Sequence, residues 1–204
     1  MDAATVVGHF RDEVVDTEQP YLWSDALVLR YLNEAQIQLC RDTEGIEGVM
    51  SLQVPAGQAQ VTLDRRILKI RAARLPDRSV SVLSPEETAD WRPSTGVPRA
   101  LIVRSRTKVE VWPVPTEDTV ITLDVFRLPL NPVEDPSDEL EVDEIHETGL
   151  LHFMMYRAYA RPDADTMDRT KSEFFRNEFA LYCAKAQKEQ GRRRHSAGAT
   201  MFSW

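Results

Sequence analysis

The spacing of apolar residues changes twice along this chain of 204 residues, and these changes limit the folds that it can adopt. Between about residues 24 and 42, apolar residues recur every three or four positions, which is typical of a helix with one buried face. From 50 to about 130 the period is two, as in Ile121, Leu123 and Val125, which indicates short strands. Beyond 144 the helical spacing returns. The chain therefore reads as helices, then strands, then helices.

Local signals give approximate bounds to these elements. Ser24 is a suitable N-cap, and Asp25 places negative charge in the first helical turn. We expect helices at 1–15, 24–42, 144–160 and 164–189. Seven short strands are expected near 52–54, 59–63, 67–74, 79–83, 100–104, 108–112 and 121–125. The capping box Ser84-Pro85-Glu86-Glu87 predicts one further helix of about two turns, which ends at Arg92-Pro93.

The simplest packing brings the N- and C-terminal helices together. We therefore predict an α+β fold: a helical bundle with an inserted antiparallel β region and an extended C-terminal tail. Residues 1–190 would form a single domain, with helices in 1–45 and 144–190 and the β insertion at 50–130. Residues 191–204 have no periodicity, and we expect them to form the extended tail, disordered in the free subunit.

Charge and composition exclude several classes of protein. The formal net charge of −8 argues against a protein that grips phosphates over its whole surface, although GRRRH at 191–195 gives the acidic chain a basic end. No secretory signal is visible, and no apolar run approaches the roughly 18 residues of a membrane helix. Cys40 and Cys183 are far apart in sequence, which indicates a reducing compartment and buried, unreactive thiols, with a disulfide left open.

The common catalytic motifs do not occur in the sequence. There is no P-loop, G-x-G-x-x-G, G-x-S-x-G or H-E-x-x-H. Asp143-x-x-His146 matches half of a di-iron motif whose other half is not seen, and His152 is better explained as a hydrogen-bonded packing residue. We therefore predict that the chain is not an enzyme and has no catalytic residues, no metal and no cofactor.

The C-terminal tail has two interpretations. It is either a floppy terminus or a docking peptide for a neighbouring protein. Its arginines offer forked hydrogen bonds and its apolar residues offer interface anchors. The candidate docking residues are Arg192, Arg193, Arg194, Met201, Phe202 and Trp204.

Several short motifs, taken in order, point to one family. Trp23-Ser24-Asp25 leads into a helix that reads YLNEAQ at 31–36. Then follow VPAGQ at 54–58, Leu63-Asp64 with Arg66-Ile67-Leu68, GVPR at 96–99, Trp112-Pro113-x-Pro115 and Phe126-Arg127-x-Pro129. Over about residues 15–185 the chain resembles the head-to-tail adaptor proteins of tailed bacteriophages, also called head-completion or connector proteins and tail tubular protein A.

This resemblance implies a structural virion protein at the head–tail interface, assembled in the host cytoplasm. Members of the family form rings, commonly of twelve subunits, that lie below the portal, continue the DNA channel and receive the tail. The implied partners are the portal protein, tail or nozzle proteins and further copies of the chain, with no membrane. DNA would pass without sequence-specific binding, and we expect some carboxylates of the acidic body to face the lumen, since a basic lumen would hold phosphates.

Other functions are weaker alternatives. The chain could be another virion connector part, such as a stopper or a tail terminator. A small metal-dependent hydrolase or nuclease accessory protein would need acidic metal ligands that the sequence does not reveal. A regulatory DNA-binding protein would need more basic surface than the tail provides.

Overall fold

The computed structural model describes residues 1–162 and 166–198, with the side chains of the last helix described as far as residue 192. The chain forms two compact units. The helical unit consists of residues 1–43 and 129–204, and the β unit of residues 44–128. The assignment of 1–190 to a single domain stays a prediction.

The described residues of the helical unit form four α-helices. They are α1 (Ala3–Val14), α2 (Asp25–Asp42), α3 (Glu147–Tyr159) and α4 (Arg169–Gly198). Ser24 occupies the N-cap position of α2, where its carbonyl accepts hydrogen bonds from the N–H groups of Leu27 and Val28. A 3-10 turn, Glu144–His146, precedes α3, and the Asp143 carboxylate caps it by accepting from the Ile145 N–H. All four helices lie near their predicted positions.

Helix α3 packs against each of the other three helices. The predicted α2 face is buried, since Val28, Tyr31, Leu32, Ala35 and Leu39 are each at most 2% exposed. Between α3 and α4, Phe153 meets Phe179 edge to face at 5.2 Å. Gly149 is needed at this crossing, because a Cβ there would lie 2.7 Å from the Tyr182 ring.

The β unit is one seven-stranded sheet that curls into a half-barrel. Its strands are β1 (Ile46–Val54), β2 (Gln60–Thr62), β3 (Ile67–Leu75), β4 (Arg78–Leu83), β5 (Ala100–Ser105), β6 (Lys108–Trp112) and β7 (Thr119–Arg127). The spatial order is β1-β7-β3-β4-β5-β6-β2. Every pair is antiparallel except β4 with β5, which run parallel.

One face of the sheet forms a hydrophobic core from residues of the β unit itself. Ile121, Leu123 and Val125 of β7 point inward and are at most 1% exposed, as their alternation predicts. Leu101, Val109 and Val111 of the neighbouring strands join them. The β unit therefore buries apolar surface among its own strands, which is the dominant favourable term in folding.

The predicted fold class is wrong in its architecture. The chain is mixed α+β, with a seven-stranded curled sheet and four helices, and not a helical bundle with a small inserted antiparallel β region. The strand positions were correct, but their pairing joins all seven into one sheet with its own core. Pairing between strands distant in sequence, such as β1 with β7, cannot be read from a local period of two.

The extended tail was part of the same wrong prediction. Helix α4 continues to Gly198, through the segment at 191–198 that was expected to be extended. The absence of an apolar period at 191–204 led to the wrong prediction, because a helix that is exposed on all sides needs no apolar stripe. Lys, Glu, Gln and Arg are good helix formers and are frequent after residue 184. Residues 199–204 lie outside the described residues.

The helix predicted after Ser84 is shorter than the two turns that the sequence indicated. Only a 3-10 turn, Glu86–Thr88, forms there. The expected capping-box bond is present, with the Ser84 N–H donating to the Glu87 carboxylate at 2.6 Å. Pro93 leaves too few residues for a stable α-helix. Forming the first helical turn is unfavourable in free energy, and several further residues with hydrogen bonds are needed to offset it.

A buried ion pair fixes the connection between α1 and α2. Arg11 donates to the Asp16 carboxylate at 2.8 Å, and the two residues are 7% and 4% exposed. Arg11 also donates to the Trp23 carbonyl at 3.1 Å and to the Asp25 carboxylate at 2.5 Å. Asp16 accepts from the N–H groups of Leu22 and Trp23. The Trp-Ser-Asp motif is thus tied to α1 through a single arginine.

Replacing Arg11 with Met should lower the free energy of unfolding by about 3–5 kcal/mol, because the Asp16 charge would stay buried without its partner. Urea denaturation followed by circular dichroism measures this loss. The matched control is Arg30→Met in α2, whose exposed pair with Glu34 at 3.6 Å should contribute at most about 1 kcal/mol. Equal losses in the two variants would contradict a special role for the buried pair.

Candidate interaction surfaces

His146, in the turn before α3, and His152 of α3 both pack against aromatic rings of α4. The His146 Nδ1 lies 2.9 Å from the Tyr182 hydroxyl, and the His152 ring lies 6.1 Å from that of Phe175. The packing predicted for His152 is therefore present, but its buried Nδ1 makes no hydrogen bond with the described residues, so the hydrogen bond that was also predicted is not seen at this atom. Within residues 1–162 and 166–198, no group of three or more His, Cys, Asp or Glu side chains could hold a metal ion.

Both cysteines are buried, as the sequence predicts, and they do not form the disulfide that the sequence left open. Burial raises the pKa of the Cys183 thiol to about 12. This thiol is therefore protonated at neutral pH, and a protonated thiol is a poor nucleophile.

The acidic charge of the chain is concentrated in the helical unit. That unit carries 22 Asp and Glu against 13 Lys and Arg, which leaves 11 and 12 for the β unit. On the β unit, several carboxylates pair with basic side chains of nearby strands, for example Asp124 with Arg74 at 2.6 Å and Glu110 with Arg104 at 2.8 Å. The acidic body expected from the sequence is therefore the helical unit alone.

An arginine pocket lies where α2 begins and α3 ends. It has a volume of about 430 Å³. Its lining residues are Ser24, Leu27, Arg30, Tyr31, Arg157, Ala160, Arg161 and Pro162. The guanidinium groups of Arg30 and Arg157 lie 5.7 and 5.8 Å from the centre of the Tyr31 ring. Three arginines and an aromatic ring around one open cavity suit a ligand with carboxylate or phosphate oxygens.

One carboxylate partly offsets this positive charge. Glu34, one turn after Arg30, lies 2.7 Å from Arg157 and 3.6 Å from Arg30. A guanidinium group has five N–H donors, so Arg30 and Arg157 keep donors beyond those that Glu34 can accept. Sequence reasoning missed this site because its arginines come from two helices, although Arg157 and Arg161 are four residues apart at the end of a predicted helix.

The opposite end of α3 is acidic and carries an exposed apolar residue. Ile145, in the 3-10 turn before the helix, is 59% exposed between the exposed Glu144 and the half-buried His146. Its carbonyl accepts a hydrogen bond from the Tyr182 hydroxyl at 2.9 Å, and its N–H donates to Asp143 at 3.0 Å. These two bonds hold Ile145 in a fixed position at the surface.

The acidic connector before this turn is ordered by hydrogen bonds. Asn33 of α2 exchanges two bonds with the Val133 backbone, each 2.8 Å long. The N–H groups of Ala3 and Ala4 donate to the carbonyls of Asp138 and Pro136. Hydrogen bonds from Ser137 lower the pKa of the Asp135 carboxyl below its usual value. The connector therefore presents the Asp135 carboxylate from a defined backbone.

The predicted docking residues are only partly described. Arg192 is exposed on α4, and Arg193 and Arg194 fall within the bounds of the same helix. Met201, Phe202 and Trp204 lie outside the described residues. Their role in docking stays a prediction. Among the helices that the structure describes, none is both long enough and apolar enough to span a membrane.

The stability of the chain should fall in mild acid partly through His152. Burial lowers the pKa of this imidazole. The negative charges of Glu178 and Glu13 act in the other direction but do not cancel the effect of burial. Below the ordinary histidine pKa of about 6.5, the unfolded chain binds a proton that the folded chain resists, which favours unfolding. Urea midpoints at pH 7.5 and 5.5 should differ less in His152→Gln than in the wild-type chain. An unchanged difference would show that other groups cause the whole effect.

Comparison with known proteins agrees with the resemblance drawn from the motifs. A search of the curated proteins gives no match to this chain. A family model described as SU10 adaptor protein matches residues 1–201. The match covers nearly the whole chain and includes both the helical unit and the β unit. The chain therefore belongs to the SU10 adaptor protein family, a family of phage head–tail adaptors.

Proposed function

We propose that this chain is a subunit of a ring that lies below the portal, joins the phage head to the tail and continues the DNA channel. The observation that carries the proposal is the family match over residues 1–201, which makes the chain a structural component of the virion that associates with other head or tail proteins. Twelve copies would match a dodecameric portal above the ring.

The distribution of charge supports a channel that does not hold DNA. The helical unit has an excess of nine carboxylates over basic side chains, and many of them are exposed. A surface of this kind repels phosphates, whereas each lysine or arginine that contacts a phosphate adds salt-dependent affinity. In the proposed ring, carboxylates of the helical unit face the lumen. Basic groups such as Arg192 are then reserved for contacts with proteins.

The C-terminal segment is the proposed contact with the portal. Fully extended, the residues after Gly198 could reach on the order of 20 Å. This reach adds to the length of α4, whose thirty residues span about 45 Å. Arg192–Arg194 supply charge, and Met201, Phe202 and Trp204 supply apolar anchors for a neighbouring protein.

Electron microscopy of phage particles that contain a tagged chain tests the proposal. We expect a ring of this protein at the vertex where head and tail meet, with acidic side chains on the lumen. Particles in which the chain occupies any other position would overturn the proposed function. A predominantly basic lumen would overturn the account of DNA passage but leave the ring in place.

Deleting residues 192–204 should abolish binding to the portal protein while the helical unit stays folded, because α4 packs on α3 through Phe175 and Phe179, well before residue 192. Co-sedimentation with purified portal measures binding, and circular dichroism measures folding. Two full-length variants separate the contributions: Arg192–Arg194→Ser removes the charge, and Trp204→Ala removes an anchor. Unchanged portal binding by the deletion variant would refute a docking role for this segment.

A further inference from the structure

We propose that neighbouring copies of this chain join head to tail through the two ends of α3. The turn that carries Glu144 and Ile145 on one copy enters the arginine pocket on the next. The inference rests on the proposed ring, since a chain that acts as a single copy needs no such contact.

The pocket suits a short turn that carries both apolar and acidic side chains. Leu27, Tyr31, Ala160 and Pro162 give it apolar walls, and Arg30, Arg157 and Arg161 provide guanidinium groups. Its volume of about 430 Å³ falls within the range of about 300–1,000 Å³ that is typical of ligand sites. A planar guanidinium group binds a carboxylate through two parallel hydrogen bonds, which fixes orientation as well as charge.

The opposite end of α3 has the matching chemistry. Ile145 is 59% exposed on a turn whose backbone is held by Asp143 and Tyr182, so little flexibility is lost when it is buried by a partner. Glu144 beside it is exposed and supplies a carboxylate. Glu147 is bonded to His9 of α1, so Glu144 is the more accessible carboxylate for a neighbour.

The geometry favours a second copy of the chain as the occupant. Helix α3 has 13 residues, so the pocket and the acidic turn lie about 20 Å apart at its two ends. Two different, complementary surfaces on one subunit produce head-to-tail contacts, which close into a ring when the rotation between copies allows it. Pairing of two pockets, or of two acidic turns, would instead bring like charges together.

Cross-linking tests the proposed neighbours directly. The double variant Ile145→Cys/Ala160→Cys places one reactive thiol at each end of α3, both at exposed positions, while Cys40 and Cys183 are buried. A short bismaleimide should join this variant into a ladder of multimers, both in concentrated solution and in assembled particles. Each single variant is a control and should give no ladder.

Charge reversal tests the chemistry of the contact. One variant, Arg30→Glu/Arg161→Glu, reverses the charge of the pocket. Another, Glu144→Lys/Ile145→Ser, reverses the charge of the acidic turn and removes its apolar side chain. Each alone should associate at least roughly tenfold more weakly, which corresponds to about 1.4 kcal/mol. Mixed together, they should form a one-to-one complex that does not extend, because each retains one intact surface. The control Arg41→Glu/Arg176→Glu reverses two exposed arginines elsewhere in the helical unit and should associate like the wild type.

Different failures have different meanings. A ring at the head–tail vertex without the 145–160 cross-link would overturn this contact and leave the proposed function standing. A chain located elsewhere in the particle would overturn both. If Ala160→Cys alone cross-links to a different protein, or if pocket reversal weakens DNA binding and leaves self-association unchanged, the pocket has another occupant and the inference is wrong.

Discussion

The buried pair of Arg11 and Asp16 determines how the helical unit is assembled. Two charged groups are expensive to remove from water, and the expense is offset only when hydrogen bonds satisfy both of them. Here the guanidinium group reaches Asp16, Asp25 and the Trp23 carbonyl, and it also covers the Tyr21 ring at 3.6 Å. Because these partners come from α1, the connection and the start of α2, the pair restrains how the connection leaves α1 and enters α2.

That fixed path places the indole of Trp23 in the helical core. Its ring packs edge to face on Phe10 of α1 and on Tyr159 of α3, at 6.0 and 6.1 Å. The motif that marks the family in the sequence therefore joins three helices. It also sets the start of α2 beside the end of α3, which is where the arginine pocket forms. The proposed contact between copies depends in this way on a charge pair that is buried within the subunit.

The net charge is distributed unevenly between the two units, which the composition of the whole chain does not show. The β unit has one more basic than acidic residue and holds its own apolar core, whereas the helical unit carries all of the net negative charge. A formal net charge of −8 spread evenly would give weak repulsion everywhere. Concentrated on one unit, it gives that unit a surface that repels phosphates.

The sequence by itself determined the elements and the family. Helical spacing placed α1 to α3 and most of α4, a period of two placed all seven strands, and an ordered set of caps and turns identified a phage adaptor. These signals are local, because each depends on residues within a few positions of one another. The sequence also identified both thiols as buried and His152 as a packing residue.

Only the tertiary structure decided how these elements combine. The parallel pairing of β4 with β5, and the joining of β1 to β7, made a single curled sheet where an inserted antiparallel region was expected. The same holds for the arginine pocket, since Arg30 and Arg157 are separated by more than a hundred residues and meet only when α2 packs on α3. Pairing and burial depend on which distant surfaces come together, and a local pattern contains no information about that choice.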